Sequence, residues 1–241
     1  MNFLEAIEEF VRAELKQVDP SHDWNHISRV RKNALSLLSS EQAEGRFREA
    51  DKLVVEVAAL MHDVGDFKYT KDHTAGPRMI RAFLEPYAGS QISTDQIEKV
   101  ILIVENISFR HELSHGAASN LPEELKIVQD ADRLDAIGAV GVARCFAFSG
   151  ARGTPFYRES DVLKEITADD YNKQAESGGG SAVFHFYEKL FKLKSLMKTE
   201  SGRQEAQERH NFMAQFIRQI EKESGIRGYP ISEWIYAYLI K

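Results

Sequence analysis

FREADKLVVEVAALMHDVGD, residues 47–66, sets the reading of the whole chain. Leu53, Val57, Leu60, Met61 and Val64 recur at helical spacing, which predicts an apolar helix over residues 47–64. Gly65 stands where a glycine ends a helix through a left-handed turn. His62 and Asp63 follow the apolar AALM segment directly, and polar groups against so apolar a run call for a reason. The dipeptide alone does not supply one. His22-Asp23 repeats it, and a helix that surfaces at this point accounts for it equally well.

Outward from this stretch the helical period recurs and strand patterns are nearly absent. Phe3, Ile7, Phe10, Val11 and Leu15 share one face of residues 2–17. After the break at Pro20, Ser21 is the predicted N-cap of a helix carrying Trp24, Ile27, Val30, Ala34, Leu37 and Leu38. Further helices are predicted at 74–86, 94–107, 122–136, 138–148, 182–198, 203–223 and 231–239. Residues 108–121 and 168–181 read as loops. The second ends in Ser177-Gly178-Gly179-Gly180-Ser181, which lacks the Lys-Ser/Thr of a phosphate-binding loop. The fold class is all-α, read as one domain over residues 1–241, with a core at about 20–150 and a helical extension at about 151–241.

The chain has 241 residues and a formal net charge of -6. No basic run gives the footprint of a nucleic-acid binder, so no nucleic-acid polymer is expected as a partner. An anionic small molecule remains open, because a metal and a few local cations override the global field inside a pocket. The single cysteine, Cys145, excludes a disulfide framework and a cysteine zinc site. It reads as a core residue in VARCFAF and fits a reducing compartment. MNFLEAIEEFVRAELK reads as an amphipathic helix rather than a signal peptide, and no stretch approaches a membrane span. A cytoplasmic protein with no membrane partner is expected.

The remaining chemistry lies in two strings. SHDWNHISRV holds His26, with His22 four residues before it, on the same face if both are helical. QDADRLDAIGAVG places Asp130, Asp132 and Asp135 in an otherwise apolar helix, where carboxylates need a cation or strong donors. A metal would meet that need. Together with ALMHDVGD, these strings resemble the HD superfamily of metal-dependent phosphohydrolases, whose ordered signature is His…His-Asp…Asp on a helical fold. The resemblance covers roughly residues 20–150 and extends more loosely through HFYEKLFKLK at 185–194. It comes nearest to the small bacterial subgroup similar to nucleoside triphosphate pyrophosphohydrolases.

The resemblance implies one divalent ion held by His26, His62, Asp63 and Asp132. Two imidazoles and two carboxylates make an intermediate donor set. Mn²⁺ is the expected ion, with Fe²⁺, Co²⁺, Ni²⁺, Zn²⁺ and Mg²⁺ as alternatives. Asp66 is the candidate to orient or deprotonate the attacking water. Arg29, Lys68, Lys189, Lys192, His22 and His185 are the candidate phosphate contacts. Asp23 is read as a possible orienting partner for a ligand histidine, and Arg133 as a salt-bridge residue. His111 and His115 lie where some members hold a second metal. His73 and His210 read as ordinary exposed histidines.

The expected reaction cleaves a small nucleotide, a nucleoside triphosphate yielding monophosphate and pyrophosphate. The alternatives are a 5′-nucleotidase or phosphodiesterase on the same centre, a two-iron oxygenase, or a nucleotide-sensing module without turnover. The apolar face of Trp234, Ile235, Tyr238 and Leu239 would seal either the core or a homodimer.

Overall fold

The computed structural model describes residues 2–15, 23–66, 70, 72, 74–108, 112, 121–158 and 180–225. The described residues form nine α-helices and no strand, apart from one isolated bridge between Ala88 and Ile92. The helices are α1 (Phe3–Glu14), α2 (Trp24–Ala43), α3 (Lys52–Met61), α4 (Ala75–Leu84), α5 (Thr94–Asn106), α6 (Glu123–Asp135), α7 (Gly138–Ala151), α8 (Ala182–Glu188) and α9 (Glu200–Ser224). The chain divides into two compact units, Met1–Asp132 with Lys198–Gly202, and Arg133–Met197 with Arg203–Lys241.

In the first unit α3 is the central element. It packs against α1, α2 and α5, and α5 packs in turn on α4. Every residue from Val54 to Met61 is buried, which explains why α3 is apolar all round rather than striped. Glu56 is the one charge among them. It accepts from Arg31 Nε at 2.9 Å and Nη2 at 2.6 Å, and Arg31 Nη1 reaches Glu8 at 2.6 Å. Burial opposes the Arg31 charge, but the two carboxylates outweigh it and hold the guanidinium above its ordinary value. This triad ties α1, α2 and α3 together.

Helix starts follow side-chain caps. Asp51 accepts from the backbone of Leu53 and Val54, so α3 begins at Lys52 and not at 47. Asp23 caps α2 by accepting from His26 N at 3.0 Å. The expected cap, Ser21, lies outside the described residues. Asn2 and Ser93 make reciprocal capping boxes with Glu5 and Gln96.

The second unit is built around Phe186, which is fully buried. The rings of Phe146, Phe191 and Phe216 surround it at 6.0–6.5 Å. The helix expected over 182–198 is broken. Lys189 leaves helical geometry at φ -134°, and residues Leu190–Leu196 continue as a 3₁₀ segment. His210 is buried, not exposed as its polarity suggests. Ala206, His210, Met213, Ala214 and Ile217 form one buried face of α9, and His210 occupies a position on that stripe. The helix expected at 231–239, with Trp234, Ile235, Tyr238 and Leu239, lies outside the described residues. Among the described residues no single helix is long and apolar enough to cross a membrane.

Candidate metal centre

Three elements of the first unit converge on one point. The first turn of α2 brings His26, which is 1% exposed. The end of α3 brings His62 and Asp63, and the last part of α6 brings Asp132. The two Nε2 atoms stand 3.2 Å apart. His26 Nε2 lies 3.4 Å from Asp63 Oδ2 and 3.6 Å from Asp132 Oδ1. His62 Nε2 lies 3.5 Å from Asp63 Oδ1 and 3.8 Å from Asp132 Oδ1. Ligand atoms held at about 2.0–2.2 Å from one ion lie about 3.0 Å apart across a right angle and about 3.4 Å apart across a tetrahedral one. His26, His62 and Asp132, at 3.2–3.8 Å from one another, come close to such a shell and form a candidate metal-holding group on distance alone, while Asp63 turns a different carboxylate oxygen to each histidine.

The tautomer of His62 supports the same fit. Its Nδ1 lies 2.9 Å from the carbonyl of Ala59, an acceptor only, so the proton sits on Nδ1 and the Nε2 lone pair faces the centre. Two ring nitrogens and two carboxylates around one point are a dense set of lone pairs, which a divalent cation satisfies. The Asp132 side chain is 35% exposed, so the centre opens towards solvent on that side.

The backbone after the helix holds this geometry. His62 closes α3, and Val64 N donates to Met61 O at 3.0 Å. Gly65 then turns at φ +66°. A Cβ on Gly65 would meet the backbone N of Gly76 at 2.6 Å, and one on Gly76 would meet Val64 O at 2.6 Å. The turn carrying the His-Asp pair therefore lies in direct backbone contact with the first turn of α4, with no room for a methyl group on either side. Asp66 follows, its N–H donating to Asp63 O at 3.3 Å, while its own carbonyl accepts from Thr70 N at 3.1 Å.

Of the other candidates, Arg29 lies half-buried on α2, one turn beyond His26. Asp23 acts as the α2 cap and so anchors the His26 backbone, not its ring. His185, Lys189 and Lys192 belong to the second unit. His185 Nδ1 lies 3.0 Å from Glu188 Oε2, and the helix carrying His185 breaks at Lys189. His22, Lys68, His73, His111 and His115 lie outside the described residues.

The acids of α6 are divided in a way the sequence does not show. Asp130 is completely buried and accepts from Lys198 and Thr199. Asp135 is buried against Arg144 at 3.0 Å. Asp132, the least buried of the three, is the one at the centre. Arg133 donates from Nη1 to Leu196 O at 2.6 Å. Burial pushes the Cys145 thiol up to about 12, against a smaller opposing effect of Lys189.

A helical scaffold presenting His26, His62-Asp63 and Asp132 in this order defines a class, and sequence comparison agrees with it. The HD domain model matches residues 23–137. The Bacillus subtilis protein YpgQ is 37% identical over 223 residues, 91% of this chain and 92% of YpgQ. The chain belongs to the HD superfamily and is similar to YpgQ. A crystal structure of YpgQ in complex with ADP superposes with a TM-score of 0.65 at 35% identity, covering 91% of this chain and 96% of that one. A protein from Lactobacillus plantarum gives 0.76 at 30% identity, covering 92% and 96%. An HD-superfamily hydrolase from Bacillus thuringiensis gives 0.65 at 35% identity, covering 93% and 97%.

Proposed function

We propose that this chain is a cytoplasmic metal-dependent phosphohydrolase that cleaves a nucleoside triphosphate to the monophosphate and pyrophosphate. The observation that carries the reading is the convergence of His26, His62 and Asp132 at 3.2–3.8 Å, with Asp63 3.4–3.5 Å from the two histidines. The ADP complex of YpgQ supports a nucleotide as the ligand.

In this reading the four residues hold one divalent ion, Mn²⁺ first among those the donor set suits. When bound, the ion supplies a water of lowered pKa and charge neutralisation at the phosphoryl oxygens. Asp66 takes a proton from the attacking water. The water oxygen bonds to the α-phosphorus, and the bridging oxygen leaves with pyrophosphate. Arg29, one turn from His26, offers a planar guanidinium to the phosphates. Lys68 and His22 complete the proposed set of phosphate contacts in this unit.

The test is incubation of the purified full chain with Mn²⁺ and a panel of nucleotides, with products separated by chromatography. Pyrophosphate and monophosphate are expected from at least one triphosphate. Inorganic phosphate alone would point to a nucleotidase. Unchanged nucleotide throughout, despite binding, would leave a sensing module and overturn the proposal.

A further inference from the structure

Two residues before Asp132 on α6, Asp130 is buried to 0% exposure. Residues two apart on a helix point about 200° from one another, so Asp130 holds the back of α6 while Asp132 faces the histidines. Its carboxylate accepts from Lys198 N at 3.0 and 2.9 Å, Thr199 N at 2.7 Å and Thr199 Oγ1 at 2.8 Å. Thr199 stands immediately before α9, and its hydroxyl accepts from Gly202 N at 3.0 Å, as a helix cap does. Two residues after Thr199, Ser201 donates N and Oγ to the fully buried Glu41 of α2 at 2.7 and 2.6 Å. Lys198–Gly202 belongs to the same compact unit as the metal centre.

The start of α9 is thus a clasp between two buried carboxylates, one on each of two helices that also carry a candidate ligand. The clasp is tight as well as polar. A Cβ on Gly202 would stand 2.8 Å from Asp130 Oδ2 and 2.5 Å from Thr199 Oγ1. The two anchors are not equivalent. Glu41 lies fifteen residues from His26 along α2, about 22 Å at 1.5 Å per residue, and cannot set the orientation of that ring. Asp130 lies within the same turn as Asp132 and can.

We propose that Asp130 is a positioning residue for the metal centre: through Thr199 and Gly202 it sets the rotation of α6 that brings the Asp132 carboxylate to His26 and His62. This rests on the reading of those residues as a metal site, and the experiment separates the two. The carboxylate meets three donors with two oxygens, Lys198 N lying within reach of both, an arrangement an amide cannot reproduce because its NH₂ would face the Lys198 N–H in either orientation.

The probe is Co²⁺, titrated into the metal-free full chain and followed by visible absorption and by competition for affinity, alongside thermal unfolding in chelator. Wild type is expected to bind one Co²⁺ with a defined spectrum, lost in Asp132→Ala. Asp130→Asn should weaken Co²⁺ binding about tenfold or more and change the spectrum. Gly202→Ala should do the same, although alanine is the better helix former. Thr199→Ser, which keeps the hydroxyl, should stay within twofold of wild type. Glu41→Gln should lower thermal stability with the spectrum unchanged. If Asp130→Asn does not fold, Gly202→Ala carries the test. Wild-type affinity and spectrum in the folded Asp130 or Gly202 variant would overturn the proposal. So would an equal spectral change in Glu41→Gln, which would mean that the clasp acts only through stability. A wild type that binds no Co²⁺, or an Asp132→Ala that still binds it normally, would instead sink the metal reading itself.

Discussion

His210 shows how far a residue's role depends on its position on a helix. Among the described residues neither ring nitrogen has a hydrogen-bond partner, and Phe191 stands edge-on at 5.2 Å. Burial, with a smaller contribution from Lys194, brings its pKa down from 6.5 to about 4. The unfolded chain therefore binds a proton near pH 6.5 that the folded chain refuses until about pH 4. Stability contributed by the neutral ring is full above pH 6.5 and falls as the pH drops through that window. At about 1.4 kcal/mol per unit the full loss is roughly 3–4 kcal/mol. His210→Leu should raise the melting temperature, and by more at pH 5 than at pH 8. An equal shift at both pH values would contradict the assignment. Asp66 carries the second prediction at this scale. Asp66→Asn should lower turnover by about 10²- to 10⁴-fold, the range for a general base, with one metal ion per chain retained. Loss of the metal would mark Asp66 as a ligand or support instead.

Among elements, the turn after α3 is the most exacting. The apolar run, the His-Asp pair and the glycine were legible as a helix and its stop, because spacing and left-handed turn chemistry are local. The contact with α4 was not legible. Nothing in residues 74–86 marks Gly76 as the partner of Gly65, since a close backbone approach leaves no local signal. Gly76→Ala places a methyl 2.6 Å from Val64 O. It should destabilise the chain by about 1–3 kcal/mol, as overpacking does, and weaken metal binding by displacing His62 and Asp63. Chemical denaturation and Co²⁺ titration together check it. Unaltered affinity would show that the turn shifts without moving the ligands. The same limit applies to residues 182–198, where apolar periodicity continues across a backbone break at Lys189.

For the whole molecule, the four candidate ligands come from positions 26, 62, 63 and 132, so an ion joining them binds the folded chain and not the unfolded one. Mn²⁺ at about a hundred times its dissociation constant should add about 2.7 kcal/mol of stability. For a chain of this size that is a rise of roughly 5–10 °C in melting temperature, reversed by chelator and absent in His62→Ala. A chelator-insensitive wild type would count against the centre. What the sequence determined by itself was the helical class and the ordered His…His-Asp…Asp set, because periodicity and motif order are properties of neighbours along the chain. Periodicity left Asp130, Asp132 and Asp135 alike, three acids in one apolar helix, and the motif singled out Asp132 without saying what the other two do. Only the tertiary structure supplied their partners, giving Asp130 to the start of α9 and Asp135 to Arg144 while Asp132 faces the histidines. A buried carboxylate requires a partner but does not specify which, and the partner is supplied by segments distant in sequence.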